Sequence, residues 1–133
     1  MMKNVERETR GVAWIGTSLD DLKAFPEDVK DEMGFALHEV QHGKTPGIAK
    51  PLKGFSGASV QELKADDDQR NTYRAVYTVK FSTAVYVLHA FQKKSKQGVA
   101  TPRREIDMVK RRLKAARREH KKRLKEARSN GEK

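Results

Sequence analysis

Cysteine is absent from all 133 residues, so neither a disulfide framework nor thiolate chemistry is open to this chain. Apolar residues are scarce at 36%, and no run of them approaches the roughly 18–20 residues of a membrane span. No basic-then-apolar signal segment stands near the start. A soluble, cytoplasmic protein is the expectation. Aromatics are few, 7% with one tryptophan, which limits the core to what a single domain over 1–133 can bury. Most telling is where acidic residues run short. Residues 1–92 balance 12 Lys/Arg against 13 Asp/Glu, whereas residues 93–133 set 17 against 5. A cationic excess gathered at one end is the electrostatic footprint of a polyanion-binding surface, and RNA or DNA is the usual partner.

What is present reads as α+β. After the polar residues 1–10, Val12–Ile15 is short and apolar enough to start a sheet. Ser18 is placed as an N-cap ahead of Asp20 and Asp21, and Leu19, Leu22 and Phe25 follow at helical spacing. Pro26 is placed at the first position of a second helix with Val29, Met33, Leu37 and Val40 along one side and Gly43 as its stop. Lys44–Gly57, rich in proline and glycine, is expected as a loop anchored by Leu52 and Phe55. Ala58–Ala65, Thr72–Phe81 and Ala84–Phe91 are expected strands, the last two alternating and rich in Val, Tyr and Phe. Thr101 and Pro102 then open a basic helix with Ile106, Val109, Leu113 and Ala116 as its apolar stripe, frayed or partner-dependent from about 118 to 133. The expected architecture is an N-terminal αα-hairpin packed on a small, mainly antiparallel sheet, followed by a basic C-terminal helix.

A two-residue turn at Ser82–Thr83 sets Arg74 opposite Phe91, Val76 opposite His89 and Thr72 opposite Lys93. Tyr73, Ala75, Tyr77, Val79, Phe81, Tyr86, Leu88 and Ala90 then share the core side, while a guanidinium, an imidazole, a phenyl ring and an ammonium share the other. That set suits phosphodiester cleavage by a neighbouring 2′-hydroxyl, which needs a base, a stabiliser for charge on phosphorus and an acid for the leaving 5′-oxygen. Arg74, Lys93, Lys94 and Lys96 are candidates for the phosphate; a lysine crowded by cations is a candidate base; His89 is a candidate acid or base. Phe91 is placed to stack on a base, and Arg103, Arg104, Lys110 and Arg111 to hold RNA along the helix. The plainer reading pairs Arg74 with Glu62 and leaves His89 as a strand residue with a satisfied hydrogen bond.

The phrases FPEDVKDEMGFAL, KPLKGF, YRAVYTV, and VYVLHAFQKKSK followed by TPRREIDMVKRRL resemble the RelE/ParE toxin superfamily, in its phage-related, HigB-like branch, over roughly residues 12–116. The resemblance implies a toxin of a type II toxin–antitoxin pair, neutralised by a small helix-turn-helix antitoxin. It further implies a ribosome-dependent mRNA endoribonuclease that needs no metal or other cofactor. It gives Arg74 a phosphate-stabilising role, Lys93 and Lys94 the place of a catalytic Arg or Lys, and Lys64 a place among strand residues that hold RNA. Glu62 departs from the basic pattern of that strand, and no tyrosine follows the last strand, so His89 or Lys96 stands in as acid. Gyrase-poisoning ParE-like relatives share the fold without the nuclease set, so a non-catalytic nucleic-acid- or gyrase-targeting toxin is the alternative. A third reading rests on His38-Glu39-Val40-Gln41-His42, which matches the H-E-x-x-H zinc-hydrolase pattern, with His38 and His42 as metal ligands. Gly43 ends that helix at once, and the bland reading leaves both histidines facing solvent.

Overall fold

The structure is a computed structural model describing residues 9–55, 59–93 and 101–131. Its elements in chain order are β1 (Val12–Trp14), α1 (Ser18–Lys23), α2 (Glu27–Gln41), β2 (Ala49–Pro51), β3 (Val60–Asp66), β4 (Thr72–Thr78), β5 (Val85–Lys93) and α3 (Arg103–Gly131). The five strands form one sheet in the order β1-β5-β4-β3-β2. β1 runs parallel to β5, and the other three pairings are antiparallel. The α+β class and the succession of hairpin, sheet and basic helix follow the sequence reading. The mixed character of the sheet and strand β2, inside the stretch expected as loop, are additions to it.

Each helix sits where its apolar stripe dictates. Val29, Met33, Ala36, Leu37 and Val40 of α2 recur at helical spacing and are buried with Leu22 and Phe25 of the α1 region against Leu63, Ala65, Tyr73, Ala75 and Tyr77. Burying a side chain such as Met33 or Leu63, both at 0% exposure, stabilises by about 1.5–3 kcal/mol. On the opposite side of the sheet, Val109 and Ala116 of α3 are buried with Val60, Val76, Tyr86, Leu88 and Phe91. The sheet is therefore covered on both sides. The single core side expected for the β4–β5 hairpin does not hold, because β5 is a near-continuous apolar run rather than an alternating one.

Register explains which residues moved. Thr72↔Lys93, Arg74↔Phe91 and Val76↔His89 pair as expected, but the next pairs are Tyr77↔Val87 and Thr78↔Tyr86, with a shift between Val76 and Tyr77. Leu88 is the extra residue of a β-bulge, and one extra residue inverts the alternation beyond it. Tyr86, Leu88 and Phe81 thus join the α3 side, while Tyr73, Ala75, Tyr77 and Ala90 stay on the α1–α2 side. The strands end at Thr78 and Val85, so Ser82–Thr83 is part of a longer connection and not a two-residue turn.

Three boundary residues also differ from expectation. Ser18 is the first residue of α1, Thr17 is its N-cap, and the Ser18 hydroxyl donates to the Val87 carbonyl at 3.1 Å, tying α1 to β5. Pro26 is the N-cap of α2. Thr101 turns its hydroxyl to Glu62 at 2.8 Å rather than to the helix it precedes. The helix itself runs to Gly131. No helix among the described residues is long and apolar enough to cross a membrane.

Candidate functional site

Antiparallel registry of β3, β4 and β5 gathers Glu62, Lys64, Arg74, His89, Phe91 and Lys93 on the α3 side of the sheet, since Lys64 pairs with Arg74, Glu62 with Val76, and Arg74 with Phe91. Arg74 is 5% exposed, and its Nη1 donates to Glu62 Oε1 at 2.5 Å. The second Glu62 oxygen accepts from Thr101 Oγ1 at 2.8 Å. Both carboxylate oxygens are thus used, one by the adjacent strand and one by the residue leading into α3. Arg74 Nε is buried without a hydrogen-bond partner. The pairing of Arg74 with Glu62, the plainer of the two sequence readings, is what the structure shows.

His89 has both ring nitrogens engaged. Nε2 lies 2.6 Å from Glu105 Oε1, and Nδ1 lies 3.4 Å from Arg112 Nη1. A guanidinium only donates, so Nδ1 accepts from it and the ring hydrogen sits on Nε2, pointing at Glu105. Arg112 also donates to the Leu88 carbonyl at the bulge, at 3.1 Å, and to Thr17 Oγ1 at 3.1 Å. One guanidinium joins α3, β5 and the start of α1. The His89 ring stacks on Phe91, with centroids 4.9 Å apart and planes at 27°. His89 is a tie between sheet and helix, with neither nitrogen turned to a substrate, and Phe91, 8% exposed, has one side covered by that ring.

Lys93 is the last residue of β5 and is buried. Burial, then the positive charges of Arg74 and Lys64, push its ammonium pKa below the ordinary lysine value, against the opposing pull of Glu62. Lys93 lines a cleft of about 760 Å³ beside β5. One wall is the N-terminal end of α3, with Pro102, Arg104 and Glu105; the other is the junction of α1 and α2, with Asp21, Phe25 and Pro26; His89 and Phe91 stand in its floor. Arg74 does not line it. Arg74 and Lys93, expected to converge on one phosphodiester, share a face and interact electrostatically, both buried, with Lys93 but not Arg74 in the lining of the cleft.

The remaining candidates separate clearly. Lys64 is exposed at the sheet's outer end. Arg103 and Arg104 expose 86% and 90% of their side chains, with Arg103 3.7 Å from Asp107, and Lys110 and Arg111 are exposed on α3. Lys94 and Lys96 lie outside the described residues. His38 and His42 are exposed on α2, their ring centroids 4.5 Å apart, with His42 Nδ1 3.0 Å from the His38 carbonyl oxygen. Among the described residues no three His, Cys, Asp or Glu side chains stand where they would share a metal ion. Glu105 and Arg112 were not singled out from the sequence. Glu105 is an acid in the first turn of a basic helix, a position that helix dipoles favour anyway, and nothing in the sequence distinguishes Arg112 from its cationic neighbours.

An αα-hairpin on one side of a five-stranded mixed sheet, a basic helix on the other and a cleft at the end of the last strand define a small α+β protein consistent with the RelE-like fold. The phage-derived Gp49-like family (DUF891) matches residues 20–114, and the chain belongs to that family. The family is of the HigB/RelE-like toxin kind, and its proteins are often toxins of toxin–antitoxin pairs. No curated protein matches the chain.

Proposed function

We propose that this chain is the toxin of a type II toxin–antitoxin pair and cleaves messenger RNA without a metal, using Lys93 as its base. The observation that carries the reading is Lys93 itself: a buried lysine in the lining of a cleft, its pKa lowered by burial and by the flanking Arg74 and Lys64. In the proposed step the neutral Lys93 amine takes the proton of a ribose 2′-hydroxyl. The 2′-oxygen bonds to phosphorus and the bond from phosphorus to the 5′-oxygen breaks, giving a 2′,3′-cyclic phosphate and a 5′-hydroxyl. Arg104, in the cleft wall, stabilises charge on the phosphoryl oxygens. Lys94 or Lys96, which follow Lys93 in sequence, returns a proton to the leaving oxygen. Arg74 acts through Lys93 as a positioning and tuning residue, held by Glu62. The proposed target is mRNA on the ribosome, and the proposed partner is a small helix-turn-helix antitoxin.

The test is growth arrest on induction. Lys93→Gln abolishes arrest while the protein remains folded, and co-expression of the neighbouring small gene rescues the parent. Undiminished arrest by Lys93→Gln sinks the site. The alternative is a toxin that binds a nucleic acid or gyrase without cutting, favoured by the closure of Arg74 in an ion pair with Glu62 and of His89 in a hydrogen bond to Glu105. It predicts intact transcripts while replication stalls.

A further inference from the structure

Helix α3 segregates its charges more sharply than its composition requires. Ile106, Val109, Leu113 and Ala116 pack on the sheet. His120 continues the inward side, with Nδ1 2.9 Å from Thr83 Oγ1 and its ring 5.2 Å from that of Phe81. Arg123 closes it, pairing with Glu119 at 2.9 Å and lying 5.8 Å from the Tyr86 ring. Beside this packed side, Lys110, Lys114, Arg117, Lys121, Lys125 and Arg128 are all exposed, the first three bordering Gly54 and Phe55 and the Arg117 guanidinium lying 5.3 Å from the Phe81 ring. At 100° per residue these six fall within an arc of about 80°, and at 1.5 Å per residue they span about 27 Å. Arg111, Arg118 and Lys122, also exposed, flank them, whereas the only acids between Lys110 and Arg128 are Glu119 and Glu126.

We propose that this exposed stripe is a docking track for the phosphate backbone of double-helical nucleic acid, separate from the cleft and independent of whether the cleft cuts RNA. Three observations fix the occupant. Cations spaced three and four residues apart repel one another along the helix, and an evenly spaced row of phosphates removes that repulsion while releasing counterions. Residues 103–131 contain no Phe, Tyr or Trp, and Phe55, half-buried, borders the stripe at Lys110, Lys114 and Arg117, so the half from Lys121 to Arg128 lacks the stacking platforms by which proteins hold single strands. Beyond Arg123, residues 124–130 are all exposed, so the rigid track overhangs the body by about two turns and meets a bulky duplex without obstruction.

The experiment titrates the full chain by fluorescence anisotropy with a 20-bp RNA duplex, the same duplex in DNA, a 20-nucleotide single-stranded RNA and polyglutamate, over a range of salt. The DNA duplex has no 2′-hydroxyl, so its binding is read apart from any cleavage. Both duplexes bind more tightly than the single strand, with log K falling against log salt at a slope of about −5 for six phosphates neutralised. The triple variant Lys114→Glu, Lys121→Glu, Lys125→Glu keeps its helical circular dichroism, binds roughly a hundredfold more weakly and shows about half that slope. Tighter binding of the RNA duplex assigns an A-form target and tighter binding of the DNA duplex a B-form one; both support the track. A triple variant with parental affinity and slope overturns the proposal, as does tighter binding of polyglutamate, which would make the stripe a site for an acidic protein.

Discussion

Glu62 and Arg74 place opposite charges side by side on neighbouring strands, with side-chain exposures of 10% and 6%. Removing one partner of such a pair strands a buried charge, whereas removing both does not. Arg74→Ala is expected to cost about 3–5 kcal/mol in urea unfolding, and the double variant Glu62→Gln, Arg74→Gln distinctly less. Additive losses would contradict the pairing. The double variant also withdraws both of the opposed charges that Arg74 and Glu62 place beside Lys93, so burial and Lys64 are left to hold its pKa down. Tyr77, on the other side of the sheet, carries a separate pH signature. Burial raises its phenol to about 12, so the folded chain keeps a proton that the unfolded chain loses near its ordinary value of 10.0. The resulting stability is fully present below pH 10 and is lost as pH rises from there through about 12. Tyr77→Phe should flatten that decline in alkaline unfolding curves; an unchanged decline would rule Tyr77 out as its source.

At the scale of elements, the joint between β1, α1, β5 and α3 turns on Gly16 and Arg112. Gly16 has φ +60, and a Cβ built there would stand 2.6 Å from Arg112 Nε. Gly16→Ala should therefore cost about 1–2 kcal/mol from the backbone alone. It should also push Arg112 off Thr17, Leu88 and His89, raising hydrogen exchange at the start of α3; unchanged exchange there would mean the guanidinium is not the tie. The helices were legible in the sequence because their apolar stripes and stop signals are local: Val29 to Val40 and Ile106 to Ala116 repeat at helical spacing, and Gly43 ends α2. The near half of the β4–β5 register was legible too, since only one registry keeps Arg74 and His89 off the α1–α2 side. The far half was not. The bulge at Leu88 depends on packing against α3, and an apolar run such as VYVL reads identically whichever side each residue takes. Within the site, the same side was foreseen for Arg74, His89, Phe91 and Lys93, and the pairing of Arg74 with Glu62 was the plainer reading of two neighbouring strands, but not that Glu105 would engage His89. That acid reaches in from a distant helix, a contact that local pattern does not encode.

At the scale of the whole molecule, charge is divided between two tasks. The N-terminal 92 residues are close to neutral and supply most of the buried framework, while the last 41 carry the whole net positive charge, much of it exposed on α3. The cleft lies where the two parts meet, with Lys93 at the end of the framework's last strand and Arg104 at the start of the basic helix. In the proposed function, such a layout lets a long-range field draw in a polyanion and the buried Lys93 amine act on it. The most direct test of that division is to map the ends of cellular RNAs after induction, with translation running and with translation blocked, for the parent and for Lys93→Gln. The prediction is a rise in 5′-hydroxyl and 2′,3′-cyclic phosphate ends in translated messages for the parent alone. Equal numbers of such ends from Lys93→Gln, or intact messages in arrested parent cells, would contradict it.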